Sequence, residues 1–149
     1  MAVATRTAAH VEARAVSETH AASCRCGQLK ATVTGDPVRV SVCHCLDCKK
    51  RSGSAFAVQA RWPVERFKAE GAAKTWIQTA DSGNCITHSF CPECGCGLFY
   101  AIDNTFDGLM AIPLGAFDDP YFVSPSFSVW EERKNDWVEI SGEGVEHSA

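Results

Sequence analysis

No run of apolar residues in this sequence approaches the roughly 18 that would suggest a membrane-spanning helix. No charged n-region with an apolar run and a cleavage site opens it either, so neither a membrane span nor a secretory signal is expected. Positive charge is in short supply: 14 Lys and Arg stand against 18 Asp and Glu, for a net charge of −4. A dedicated nucleic-acid binder usually carries a basic surplus, so that class is disfavoured. A Gly-rich phosphate loop, a Ser/His/Asp motif and an internal repeat are all missing. The 149 residues suffice for one real core and are too few for two ordinary domains.

Cysteine, by contrast, is abundant. There are nine, and an odd count leaves one thiol over in an all-disulfide secreted domain. Without an export signal, clustered cysteines read as metal ligands rather than bridges, and a reducing cytoplasm is the expected compartment. Seven of them fall in three groups: Cys24 and Cys26; Cys43, Cys45 and Cys48; Cys91 and Cys94.

Around these groups the chain alternates in short apolar and polar steps. Leu29, Ala31 and Val33 alternate with Lys30, Thr32 and Thr34, the period of a half-buried strand. Val38 to Val42 is a second such strand leading into the central cysteines. A short helix is expected over Cys45 to Ser52, ended by Gly53. Further strands are expected at Ala55–Ala60 (stopped by Trp62-Pro63), Lys74–Thr79 with Trp76 inward, Cys85–Phe90, Leu98–Ile102 and Leu109–Leu114. Asp103 to Gly108 reads as a turn. Many short strands with turn residues between them make the fold class mainly β. Residues 1–22 are expected to be a flexible tail, 23–140 the domain, and 141–149 a polar tail.

Cys91-Pro92-Glu93-Cys94-Gly95 has the form of a zinc knuckle, in which two thiolates separated by two residues grip one tetrahedral ion. Cys24 and Cys26, with Gly27 allowing the sharp turn, are the natural second pair and would close a four-cysteine structural site. Cys43, Cys45 and Cys48 supply three thiolates, the pattern of a catalytic zinc with one open position. Completion of that shell by Cys85, Cys96 or His44 is the alternative, and would make it a second structural site. Lys49, Lys50 and Arg51 follow at once, offset the charge of three thiolates on Zn²⁺, and are candidates to bind an anionic co-substrate.

The ordered set Cys24-Arg25-Cys26-Gly27, then Cys43-His44-Cys45-Leu46-Asp47-Cys48, then Cys91-Pro92-Glu93-Cys94-Gly95 resembles the glutathione-dependent formaldehyde-activating enzyme family, which includes proteins related to centromere protein V. The stretch Cys48 to Phe56 and the Trp130 to Trp137 segment fit it too, and the resemblance covers Ser23 to Ile140. It implies a zinc-clasped, mostly antiparallel β-tent. It implies two Zn²⁺ per chain, a structural ion on Cys24, Cys26, Cys91 and Cys94 and a catalytic one on Cys43, Cys45 and Cys48. The implied activity is condensation of formaldehyde with glutathione, a carbon–sulfur lyase reaction, so a small thiol and an aldehyde are the expected partners. Cys96 departs from the family pattern and leaves open whether Cys94 or Cys96 serves the closed site. The rival reading is a non-catalytic zinc module for a protein or nucleic acid, which a shared fold alone does not exclude.

Overall fold

The computed structural model describes residues 18–103 and 108–149. Most of the expected N-terminal tail and of the Asp103–Gly108 turn lies outside them.

Among the described residues, eleven short strands form two sheets. The smaller is antiparallel and runs β1 (Thr19–Ser23), β2 (Lys30–Thr34), then β5 (Phe67–Glu70). The larger contains β3 (Arg39–Cys43), β4 (Ala57–Pro63), β6 (Lys74–Thr79), β7 (Cys85–Phe90), β8 (Gly97–Ile102), β9 (Leu109–Pro113), β10 (Phe127–Val129) and β11 (Glu146–His147). Its order is β11-β10-β3-β4-β9-β8-β7-β6. All its pairings are antiparallel except β3–β10 and β10–β11, which are parallel. The protein is mainly β, with one short α-helix among the described residues and cysteine groups placed so that they could clasp metal.

The core lies between the sheets and follows from the period of two. On β2, Ala31 and Val33 are buried while Lys30 and Thr32 face solvent. Val40, Ala60, Trp62 and Ile112 meet them from the large sheet, with Leu29, Leu98, Phe117 and Phe122 completing the cluster. Because side chains alternate across a strand, burying Val40 sends Arg39, Ser41 and Cys43 to the opposite face of β3. Burying Ala60 and Trp62 does the same for Gln59 and Arg61 on β4. That opposite face is the wall of a cavity.

Three local expectations change. The strand expected to stop at Ala60 continues through Trp62 to Pro63. Trp62 is fully buried, its indole N–H donates to the Gly35 carbonyl at 2.9 Å, and Pro63 is the residue on which the strand ends. Trp76 does not point inward: β6 is an edge strand, and among the described residues Trp76 and Ile77 remain 57% and 67% exposed. Trp76 stacks instead on His88 of the neighbouring strand, ring centroids 5.7 Å apart. Regular structure also reaches past both expected boundaries, since β1 begins at Thr19 and β11 lies within 141–149.

Candidate metal centres and the cavity between the strands

Cys24 follows β1 and opens a tight turn in which the Gly27 N–H donates to the Cys24 carbonyl at 3.0 Å. Gly27 has φ +81°, a conformation that costs a side-chain-bearing residue. After β7 the Cys91–Gly95 turn closes in the same way, Gly95 N–H to Cys91 carbonyl at 2.9 Å. The two turns bring the sulfurs of Cys24, Cys26, Cys91 and Cys94 within 4.8 Å of one another. Cys26 Sγ is 3.6 Å from both Cys24 Sγ and Cys91 Sγ. A tetrahedron of ~2.3 Å Zn–S bonds has edges of about 3.8 Å, so this donor set fits zinc.

Hydrogen bonds to sulfur support a thiolate there. Leu29 N–H donates to Cys24 Sγ at 3.3 Å, and Glu93 N–H and Gln28 Nε2 donate to Cys91 Sγ at 3.4 and 2.9 Å. Burial pushes the Cys91 thiol up, but the donors from Cys94, Gln28 and Glu93 outweigh it and bring the group down to about 6. Cys96 is not part of this set. It packs against the core cluster, so Cys94 is the fourth member.

The second group sits where β3 meets α1 (Leu46–Ser52). Cys43 is the last residue of β3, Cys45 is the helix N-cap, and Cys48 lies in the first turn. Cys45 Sγ accepts from the Cys48 N–H at 3.4 Å, an N-cap interaction that fixes its direction. Gly53 ends the helix as expected, its N–H bonded to the Lys49 carbonyl at 2.9 Å. The three sulfurs lie within 4.8 Å of one another, and neither Cys85, Cys96 nor His44 joins them among the described residues.

Three thiols this close cannot all ionise unaided. The Cys43 and Cys48 thiols, helped by the Cys48 and Asp47 N–H groups, hold the Cys45 thiol far below its ordinary range. Hydrogen bonding to Cys45 and Cys48, with burial, pushes Cys43 far above it. A divalent cation would remove that conflict, and the thiolate donors suit zinc.

The three-cysteine group opens into a cavity of about 440 Å³. Its floor is a connected polar row. Arg51 lies 3.9 Å from Cys48 Sγ, donates to Gln59 Oε1 at 3.1 Å, and stands over the Tyr100 ring at 4.8 Å. Gln59 Nε2 and Arg61 Nη1 both donate to the Ser41 hydroxyl, at 3.3 and 3.1 Å. Ile86, Ile102, Val129 and Trp130 are among its apolar walls. His88 also borders it. Burial lowers the pKa of His88, and the Arg51 charge lowers it further, so its imidazole is neutral at pH 7.

The three basic residues singled out by sequence therefore go different ways. Arg51 enters the cavity beside Cys48. Lys49 turns away to the Arg133 carbonyl and Asn135 Oδ1, at 2.5 and 2.6 Å, tying the helix to the segment after β10. Lys50 borders a second, larger and more open groove, which Arg51 also lines. His44 is fully buried, with Nε2 3.1 Å from Ser128 Oγ. Ser128 donates to Glu131 Oε1 at 2.6 Å, and His147 lies 2.8 Å from the same oxygen. Arg39, Gln59, Arg61, His88 and Tyr100 are cavity residues that sequence reasoning passed over. The alternation Arg39-x-Ser41-x-Cys43 was the available signal, since it places an arginine on the same face as a candidate ligand.

No helix among the described residues is long and apolar enough to cross a membrane. No curated protein matches the chain. A crystal structure of a Rhodobacter sphaeroides protein matches with a TM-score of 0.51 and 17% identity, covering 70% of this chain and 91% of that one, a likeness of fold. Residues 19–133 match the family model described as glutathione-dependent formaldehyde-activating enzyme. That span holds both cysteine groups, the helix between them and most of the cavity wall, and the chain belongs to the glutathione-dependent formaldehyde-activating enzyme family.

Proposed function

We propose that the protein is a zinc-dependent carbon–sulfur lyase resembling S-(hydroxymethyl)glutathione synthase, joining glutathione or a similar small thiol to an aldehyde such as formaldehyde. The observation that carries this reading is a three-cysteine group, without a fourth protein donor among the described residues, opening directly into a cavity with a cationic floor. A scaffold has no need of such an opening. Cys43, Cys45 and Cys48 would hold the catalytic ion; Cys24, Cys26, Cys91 and Cys94 would hold a structural one. Zinc at the three-cysteine group supplies Lewis acidity and a place for a thiolate or a carbonyl oxygen.

The chain's own side chains do the rest. The reaction forms one S–C bond, moves the carbonyl π pair onto oxygen, and transfers the thiol proton to that oxygen, with no change of oxidation state. Neutral His88 takes the thiol proton and returns one to the oxygen. Arg51 is held by Gln59 and Tyr100 and presents fixed positive charge beside Cys48, stabilising thiolate and alkoxide alike. The apolar walls limit water, which competes with the thiol for the aldehyde.

The test is exchange spectroscopy of formaldehyde with glutathione, with the uncatalysed background subtracted. Wild type and Cys85→Ser should both accelerate exchange and Cys45→Ser should not. If all three match background while folded and zinc-loaded, the formaldehyde assignment fails. If Cys85→Ser alone abolishes turnover, the reactive centre has been misplaced.

A further inference from the structure

His44 stands between Cys43 and Cys45, is fully buried, and has no part in the proposed reaction. Its backbone N–H donates to the Val129 carbonyl of β10 at 3.1 Å. Its ring is tethered at one nitrogen: Nε2 lies 3.1 Å from Ser128 Oγ, while Nδ1 is buried without a hydrogen-bond partner among the described residues. Phe56 lies tilted beside the ring, centroids 6.0 Å apart. The direction of the imidazole therefore depends on Ser128.

Ser128 is directed in turn by Glu131. The Ser128 hydroxyl first, then His147, hold the Glu131 carboxyl below the usual carboxylate range, so it is ionised at neutral pH and can only accept. A hydroxyl has one proton, and Ser128 gives it to Glu131 Oε1 at 2.6 Å. The Ser128 oxygen is then an acceptor towards His44, which fixes a proton on Nε2. The result is a one-way chain from His44 through Ser128 to Glu131. Glu131 is itself held: its N–H donates to the Ser148 carbonyl at 3.0 Å, and His147 Nδ1 donates to the same Oε1 at 2.8 Å. Neither Ser128 nor Glu131 lines the cavity, so neither meets a substrate there.

We propose that Glu131 is a positioning residue for the three-cysteine group: through Ser128 it fixes the His44 ring, and with it the backbone that aims Cys43 and Cys45. Metal–sulfur distances tolerate deviations of only about 0.2 Å, so a polar tether on the residue between two donors acts on the scale that matters. This rests on the reading of Cys43, Cys45 and Cys48 as a metal site and not on the aldehyde chemistry.

The test uses the full chain, with the labile metal of the three-cysteine group removed by mild chelator and replaced by Co²⁺. The ligand-field and thiolate-to-metal absorption bands of cobalt report donor geometry. Glu131→Ala and Ser128→Ala should each shift these bands and weaken cobalt binding by about 10- to 100-fold, the range for loss of an outer partner of a metal donor. Both act along one chain, so the double variant should bind no worse than the weaker-binding single variant. Glu132→Ala removes the neighbouring acid, which pairs with Arg133, and His147→Ala cuts only the outer tie. Both should match wild type.

A lower denaturation midpoint in Glu131→Ala with unmoved cobalt bands is what a structural role alone gives, and it overturns the proposal. So does strict additivity of the Glu131 and Ser128 variants, or an equal shift in His147→Ala. If Glu131→Ala does not fold, Ser128→Ala against wild type decides, since it removes one hydroxyl and no charge. Wild type that takes up no cobalt at these cysteines removes the metal reading and this inference together. Wild type that takes it up, with the variants unchanged, removes this inference alone. Shifted bands in the variants without formaldehyde turnover in wild type support the positioning role and remove the enzymatic reading.

Discussion

A single methyl group added at Gly71 should loosen the four-cysteine site from a distance. Gly71 has φ +96° and follows β5, against the turn that carries Gln28. A Cβ there would lie 2.0 Å from the Gln28 carbonyl oxygen, 2.9 Å from its carbon and 3.1 Å from Leu29 Cα. All three are backbone atoms, so no side chain can rotate away. The positive φ costs an L-residue about 1–2 kcal/mol. Pushing backbone apart by more than about 1 Å adds an overpacking penalty of ~1–3 kcal/mol.

The sum, about 2–5 kcal/mol, is a large part of the ~5–15 kcal/mol by which a domain is stable. The strain lands on Gln28, whose side-chain Nε2 donates to Cys91 Sγ at 2.9 Å and to the Ala72 carbonyl at 2.8 Å, and whose side-chain Oε1 accepts from Ala72 N–H at 3.0 Å. Gly71→Ala should therefore lower the denaturation midpoint and speed loss of the tighter-held metal to a chelator. Gly83→Ala is the control, with φ +85° and no atom within 4 Å of the added Cβ. It should show the backbone strain alone, about 1–2 kcal/mol. Equal destabilisation of the two variants would refute the steric argument, and equal metal loss would refute the link through Gln28.

Further outcomes are expected on the same grounds. Mild chelator should remove about one zinc per chain, from the three-cysteine group, while far-UV circular dichroism barely changes; joint loss of both ions with unfolding would contradict the division into open and closed sites. Because burial and Arg51 depress the His88 pKa, the proposed base role of its neutral form predicts thiol-linked activity that holds at neutral pH and falls only as pH drops below the ordinary histidine value of about 6.5. His88→Gln should flatten that acid limb, and an unchanged limb assigns it to another group. Trp62→Phe should cost ~2–4 kcal/mol in chemical denaturation, through lost packing and an unsatisfied Gly35 carbonyl. Trp76→Ser, on the exposed edge, should change stability by less than about 0.5 kcal/mol.

What was legible in the sequence was local. Ligand spacing is set by one turn of backbone, so Cys91-x-x-Cys94 and Cys45-x-x-Cys48 could be read directly, as could the helix between its Cys45 cap and Gly53. Strand existence followed from the period of two. What required the fold was anything decided by a neighbour far along the chain. Trp76 looks like a core residue until β6 proves to be the last strand of its sheet. Lys49 and Arg51 are two residues apart on one helix, yet one ties down a distant segment and the other meets Cys48. Arg39 and Arg61 are 22 residues apart, and only the β3–β4 register makes them a pair. The two-residue β11 lies in a polar stretch without alternation, and parallel pairing with β10 leaves no local mark.

The position of β10 beside β3 has a consequence for the order in which the molecule comes into being. The three central thiols are all synthesised by residue 48, before Cys91 and Cys94 can complete the other quartet and before Val129 and Trp130 can wall the cavity. At ~5–20 residues per second, the 82 residues from Cys48 to Trp130 take about 4–16 s. Throughout that interval the nascent chain carries the three central cysteines on one half-built face, with Cys24 and Cys26 already made before them. An ion captured there first would keep the three central thiols from cross-linking while the remaining strands arrive.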